Sequence, residues 1–433
     1  MSDHNRANNQ EKLIKAAISN SITNTVAQTG NIPSLFLLTL GGNAVHVGIL
    51  ATAIQSFQAA KIIGLKILPL VGKARLCSWG RLLAIFPMLA LAFIAVLPGN
   101  HYLMIVLAIF MFALRGVLVA CGNTSWQPLI QDSIRRGEIG TFFARMRIRM
   151  RMVDVAFPIL LGLFLGASPS SLRFAPLFLL GAAFALASCF YFSGVVEKPM
   201  PPGQKPLVAS IKDVFRKKAI RRYGFFNLVT MLLLTASVPF WVVILKDYAM
   251  PASHLVWLGT AAAAGNIIGI GRWGQASDRF GSRLVISLTL LPMAALGIFW
   301  IFMPYLPNAL LAWALILHLF QGFLSGGMGI ARTRAMVQAV PESCQAEGFV
   351  VIGYMQAMGG AAGGILGGLA FRWISGRPQI PGGLDPRQAY LAMVQLMLVI
   401  AWLFSRRLKD KVEGGKDPAK PPVRPDNAGI IPV

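Results

Sequence analysis

Charge is scarce in this sequence. Only 13% of its 433 residues are Asp, Glu, Lys or Arg, about half of the ~25% in an ordinary soluble domain. With 55% hydrophobic residues, the chain cannot cover a soluble surface, and it is too rich in Phe, Leu and Ile for disorder. Acids are scarcer still: 16 Asp and Glu stand against 40 Lys and Arg, a formal net charge of +24. Cysteine is almost missing. The four present (Cys77, Cys121, Cys189, Cys344) make no CxxC pair and no secreted-type framework, so they read as reduced, structural thiols. Five histidines spread over the chain suggest no metal site, and HExxH, GxSxG and P-loop motifs are lacking. The polar start MSDHNRANNQEKLIK leads into no short apolar core with a cleavage site, so no signal peptide is expected. What remains is a polytopic membrane protein with no expected cofactor or metal.

A spanning helix needs about 20 mostly apolar residues. Twelve segments qualify: 17–40, 46–70, 82–98, 102–130, 150–167 and 174–195, then 223–245, 255–275, 284–304, 308–330, 348–371 and 388–404. Between the sixes lies a basic segment, 196–222, with PMPPGQKP followed by IKDVFRKKAIRR. Residues 1–16 read as an N-terminal tail and 405–433 as a Pro- and Lys-rich, disordered one. Of the 40 Lys and Arg, 32 fall on the side of both tails, 5 on the other and 3 (Lys61, Lys66, Arg115) within spans. Arg151 and Arg272 are counted with the segments they adjoin. That asymmetry puts both tails in the cytoplasm, with a bacterial-type cytoplasmic membrane as the expected location. It also makes the basic excess topological, so no nucleic-acid partner is expected.

Three matches at nearly one offset suggest that the two sixes are repeats. Pro33 pairs with Pro239 and Arg115-Gly116 with Gln321-Gly322, both 206 residues apart, while Lys61-Ile-Ile-Gly64 pairs with Asn266-Ile-Ile-Gly269 at 205.

Polar groups at membrane depth are costly and mark function. The first span is crowded with them, among them Asn24, Gln28 and Asn31, so it should face a watery cavity. Arg115 lies near mid-membrane, and Lys61 is too deep to snorkel easily. Asp154 is the one acid clearly within a span; with Arg147 and Arg151 at i, i+4, i+7 spacing it shares a helix face, as a proton carrier or as an ion-pair partner of Arg151. Gln321 enters as the repeat mate of Arg115. His318 reads as a core histidine. Gly269-Ile-Gly271-Arg-Trp-Gly274 satisfies GxGxxG, but at the end of a spanning helix it lacks the βαβ context of a dinucleotide site. Glycines 359, 360, 363, 364, 367 and 368 form two i, i+4, i+8 ridges for close helix packing.

At the eighth-to-ninth connection the chain reads Gly274-Gln-Ala-Ser-Asp278-Arg279-Phe-Gly281-Ser-Arg283. This resembles the G-x-x-x-D-R-x-G-R-R loop signature of the major facilitator superfamily, and Arg115 in FALRGVLVACG resembles its fourth-helix motif. The resemblance covers residues 17–404. It implies an all-α membrane protein of twelve helices in two six-helix halves, 17–195 and 223–404, working as a secondary transporter rather than an enzyme. It also implies that Gly274, Asp278, Arg279, Gly281 and Arg283 form a conformational latch. In the first half Lys73 is aligned with Asp278, at offset 205, and the fifth span lacks the glycine pattern of the drug–proton antiporter groups.

The expected function is movement of a small solute by alternating access through a central site. Lys61 and Arg115 bias that site positive, which favours an anion: an organic acid, a phosphorylated compound or an anionic metal chelate. Expected partners are therefore a small-molecule or ion substrate, a coupling proton and the lipid bilayer. Alternatives are export of hydrophobic or cationic compounds or metal ions, and a membrane assembly factor without transport.

Overall fold

The structure, a computed structural model, describes residues 3–29, 31–99, 101–134, 139–197, 213–305, 309–341, 345–377 and 385–408. Most of the central segment, the C-terminal tail, Cys344 and the side chain of Asp278 lie outside the described set. Among the described residues there is helix and no strand.

Among the described residues the helical segments group into twelve successive rods. α1 runs Asp3–Asn24, passes through a π-helical turn at Thr25–Thr29 and resumes at Ile32–Thr39. α2 is also interrupted, as Ala44–Ser56, a 3-10 turn Phe57–Ala60 and Lys61–Val71. α3 comprises Lys73–Leu83 and Ile85–Val96, α4 His101–Gly122 and Trp126–Ser133, α5 Ile139–Leu165 and α6 Ala175–Ser193. The second set is α7 Lys218–Asp247, α8 Ala252–Phe280, α9 Ser282–Phe299, α10 Leu310–Ala339, α11 Gln345–Ser375 and α12, Pro386–Leu396 with Leu398–Ser405. Nine of these are long and apolar enough to cross a membrane by length and composition. The other three are α1, crowded with polar residues, α2, broken in the middle, and α5, whose first half is basic. Large side chains such as Phe86, Phe93 and Phe190 stay exposed, as a lipid-facing surface requires.

Several helices outrun their apolar stretches. α1 begins at Asp3, well before residue 17, because Leu13, Ile14, Ala16 and Ala17 pack with Cys77, Ile130, Phe142 and Phe192. Asn9 ties it down further, donating to the Val196 carbonyl at 2.8 Å. α5 and α10 likewise extend beyond the expected 150–167 and 308–330.

The repeat is visible as packing. A Cβ on Gly64 would meet Thr124 and the Cys121 carbonyl of α4, and one on Gly269 would meet the Phe323 carbonyl of α10. Each is the second helix of its half lying against the fourth. One matched position needs correcting. α2 ends on Gly72 (φ 92°, ψ 166°) and α8 on Gly281 (φ 87°, ψ 160°), the same left-handed turn into the next helix. Such a turn needs glycine, so Gly72 and Gly281 are equivalent and Pro69, not Lys73, stands where the second half has Asp278. Lys73 instead bonds Asp132 at 2.6 Å.

The hydrophobic core shows which end is closed. At the end away from the two termini, one cluster runs through both halves: Phe36, Leu37 and Phe178 of the first half are continuous with Phe240, Leu255, Phe371 and Tyr390 of the second. At the terminal end the core splits. Leu13, Ile130, Phe142 and Phe192 form one cluster in the first half, and Phe226, Val285, Leu290 and Met355 form another in the second. The space between is open.

Candidate functional site

A cavity of about 950 Å³ lies between α1 and α5 on one side and α8 and α10 on the other. α1 contributes Ser21, Asn24, Thr25 and Asn31; α5 contributes Arg147, Arg151 and Asp154; α8 contributes Asn266; and α10 contributes Ser325, Thr333 and Arg334. The polar side of α1 is thus accounted for in part: these four side chains of α1 meet the cavity, while Thr23 turns to α6 and donates to the Gly181 carbonyl at 3.2 Å.

The far end is shut by direct contact between halves. Asn31 donates to the Leu255 carbonyl. The end of α5 meets the start of α8 through two backbone bonds, Ala252 to the Ala167 carbonyl (2.8 Å) and Ser253 to Gly166 (2.9 Å). Thr260 adds a bond to the Val155 carbonyl at 3.3 Å. On the other flank α2 meets α11, where Thr52 donates to the Ala361 carbonyl at 2.8 Å and Gly48 faces Gly364 and Gly368.

Charge inside the cavity is arranged around Asp154. Its carboxylate accepts from the Ser21 hydroxyl and pairs with Arg151 at 3.1 Å. One acid thereby joins α1 to α5. Arg334, across the cavity, donates to the Ser277 carbonyl at 2.6 Å and pins the end of α10 to the end of α8. Three guanidiniums and one carboxylate line the cavity among the described residues.

The sequence candidates divide. Asn24, Asn31 and Asp154 line the cavity. Arg115 does not: it is fully buried behind Asn24, to whose Oδ1 it donates at 2.9 Å. Lys61 is also off the walls, because α2 packs on α4 and α11. Gln28 lies within the π-turn, whose wider winding moves it out of register with Ser21 and Asn24. Gln321 lies off the wall with its Oε1 buried. The positive bias therefore comes from Arg147, Arg151 and Arg334. The first two were visible by their spacing, whereas Arg334 was hidden among residues counted as loop charge. Of the loop residues, Gly281 makes the left-handed turn, Gly274 has only ordinary contact with Ile330, and Arg279 and Arg283 are exposed. His318 bonds the Ala314 carbonyl at 2.8 Å with Trp241 and Trp300 packed edge-on to it, a core histidine.

The Major Facilitator Superfamily model matches residues 223–431. The fold is shared with the nucleoside transporter NupG (TM-score 0.69, 15% identity, 92% of this chain and 99% of that one). It is shared equally with a D-xylose-proton symporter (0.67, 11%, 93% and 96%), and with a bacterial homologue of the iron transporter ferroportin in its inward-facing state (0.64, 15%, 94% and 99%). No curated protein is matched by sequence. The second half of the chain is thus similar to the major facilitator superfamily in sequence, and the chain as a whole shares the fold of these transporters. It is a multi-pass integral membrane protein.

Proposed function

We propose that the protein is a secondary transporter that moves a small anionic solute by alternating access, with residues 17–195 and 223–404 as the two moving bodies and 196–222 joining them. The supporting observation is the cavity wall, where among the described residues Arg147, Arg151 and Arg334 stand with one carboxylate, that of Asp154. A guanidinium fork suits carboxylate and phosphate oxygens. With both termini cytoplasmic, as the distribution of Lys and Arg favours, the cavity opens inward. A thermal-shift screen should test this with organic acids, phosphorylated sugars and metal chelates beside their neutral counterparts, because a ligand stabilises the state it binds. Stabilising compounds are expected among the anions, with Arg334→Gln weakening the best of them about tenfold or more, the loss of ~1.4 kcal/mol or more. Stabilisation confined to neutral or cationic compounds would overturn the anionic assignment.

Asp154 is the acid through which a coupling proton acts in this proposal. Protonation removes its pairing with Arg151, frees that guanidinium for the solute and loosens α1 from α5. Asp154→Asn is therefore expected to keep solute exchange across liposomes while losing accumulation driven by a pH gradient. Accumulation at the wild-type level in that variant would take Asp154 out of the coupling step.

A further inference from the structure

We infer that Arg115 acts on the solute without touching it, by locking the Asn24 side-chain amide with its NH2 group turned into the cavity as a hydrogen-bond donor. The inference rests on the anionic reading of the cavity and adds to it a specificity-determining residue, Asn24, and a positioning residue, Arg115. An amide side chain carries an acceptor oxygen and a donor nitrogen of nearly the same shape, and its neighbours decide which way it lies. Guanidinium has donors only. With Arg115 Nη2 at 2.9 Å, the group facing it has to be Oδ1. Oδ1 is thereby committed to the protein side. Nδ2 has no protein partner among the described residues, while Asn24 lines the cavity.

Arg115 is held firmly enough to do this. It is fully buried, on the helix whose next residue, Gly116, lies directly against the Phe57 ring. Its Nε and Nη1 have no partner among the described residues, so its charge is balanced by no neighbouring acid. Asn24 accepts from that charge through Oδ1, and such a charge-assisted bond polarises the amide and makes Nδ2 a stronger donor. The buried charge is thus presented at the wall as a directional N–H, and the solute group it takes is an acceptor: a carboxylate, phosphate or carbonyl oxygen. Asp154 and Ser21 lie one helical turn away on the same wall, so a solute oxygen at Asn24 also lies beside the acid.

The test needs no identified substrate. Ala263 lines the opposite wall, and Ala263→Cys, with the native cysteines replaced by serine, offers a thiol there. The readout is its modification rate with sulfonatoethyl methanethiosulfonate, an anion, relative to trimethylammonioethyl methanethiosulfonate, a cation. The ratio should favour the anionic reagent in the otherwise wild-type protein. Asn24→Asp, nearly isosteric, should lower it about tenfold or more by setting a carboxylate against Arg115. Asn24→Ala and Arg115→Gln should each lower it several-fold, and the double variant no further than either alone, because the effect passes through one amide. Arg115→Lys keeps the charge and a donor, so it should retain most of the ratio and serves where Arg115→Gln fails to fold. Additive losses in the double variant, or an unchanged ratio with Asn24→Ala, would overturn the inference while leaving the anionic reading intact. No anionic preference before any of these changes would overturn both.

Discussion

Gly265→Val is expected to leave little folded protein in detergent, although it adds only three carbons to one of the longest helices. A Cβ at Gly265 would come within 1.9 Å of the Leu319 carbonyl oxygen and 2.8 Å of the Phe323 nitrogen. The contact is reciprocal, since a Cβ at Gly322 would meet the Ala262 carbonyl oxygen at 1.9 Å. α8 and α10 thus touch backbone to backbone over more than one turn. In lipid there is no hydrophobic force to push helices together, so close approach of this kind supplies much of the attraction. Overpacking costs about 1–3 kcal/mol where side chains can yield; here the obstacle is a carbonyl inside a regular helix. The cost should therefore exceed that range and take a large part of the ~5–15 kcal/mol that holds a native protein together. Gly271, on the same helix with nothing within 4 Å of its Cβ position, supplies the control: Gly271→Val should purify and melt like wild type. Size-exclusion profiles and thermal transitions of the two variants decide the matter. A monodisperse, wild-type-like Gly265→Val protein would mean that α8 and α10 do not approach so closely.

That contact also shows how far the sequence could be read. Apolar length located nine of the helices as spans, and the match of Gly64 to Gly269 proved to be a shared packing position against α4 and α10. Helix ends were less legible, because an apolar-length criterion stops where charge begins. α5 and α10 continue as helices through their arginines, and that continuation is what puts Arg147 and Arg334 on the cavity wall. Position along a helix was legible and direction was not. Arg115 lies well inside α4, yet position along a helix does not say whether a residue faces a cavity or the back of another side chain. For α1 the density of Ser, Thr and Asn was enough to expect a cavity, although it did not say that Thr23 would instead bond the Gly181 carbonyl of α6.

The second large effect is expected far from the cavity. Gly48→Val should stop solute flux while leaving the solute-binding walls untouched. Gly48 lies where α2 meets α11 at the closed end, and a Cβ there would come within 2.5 Å of the Gly364 carbonyl oxygen and 3.0 Å of the Gly368 Cα. Thr52, one turn along, bonds the Ala361 carbonyl at 2.8 Å, so the two backbones are drawn together over the same stretch. Unlike the pair α8 and α10, these helices belong to different halves. A wedge between them can be relieved by parting the halves at this end rather than by breaking either half. The variant should therefore fold, with its balance shifted away from the state closed here. A bond of the Thr52 type is worth about 0.6 kcal/mol on average in membrane proteins. Closure at this end therefore depends on several such contacts and on the close fit around the glycines, which a single valine removes. A shift of about 1.4 kcal/mol changes the ratio of the two states tenfold, and a steric overlap with backbone exceeds that. Two measurements follow from the argument. In liposomes the variant should exchange and accumulate solute at a small fraction of the wild-type rate. With Ala263→Cys as a reporter, thiol modification should rise from the side where α2 and α11 meet and fall from the side of the termini. Wild-type flux with an unchanged sidedness of modification would show that the meeting of α2 and α11 does not close the cavity, leaving the contacts of α8 with α5 and with Asn31 to do so.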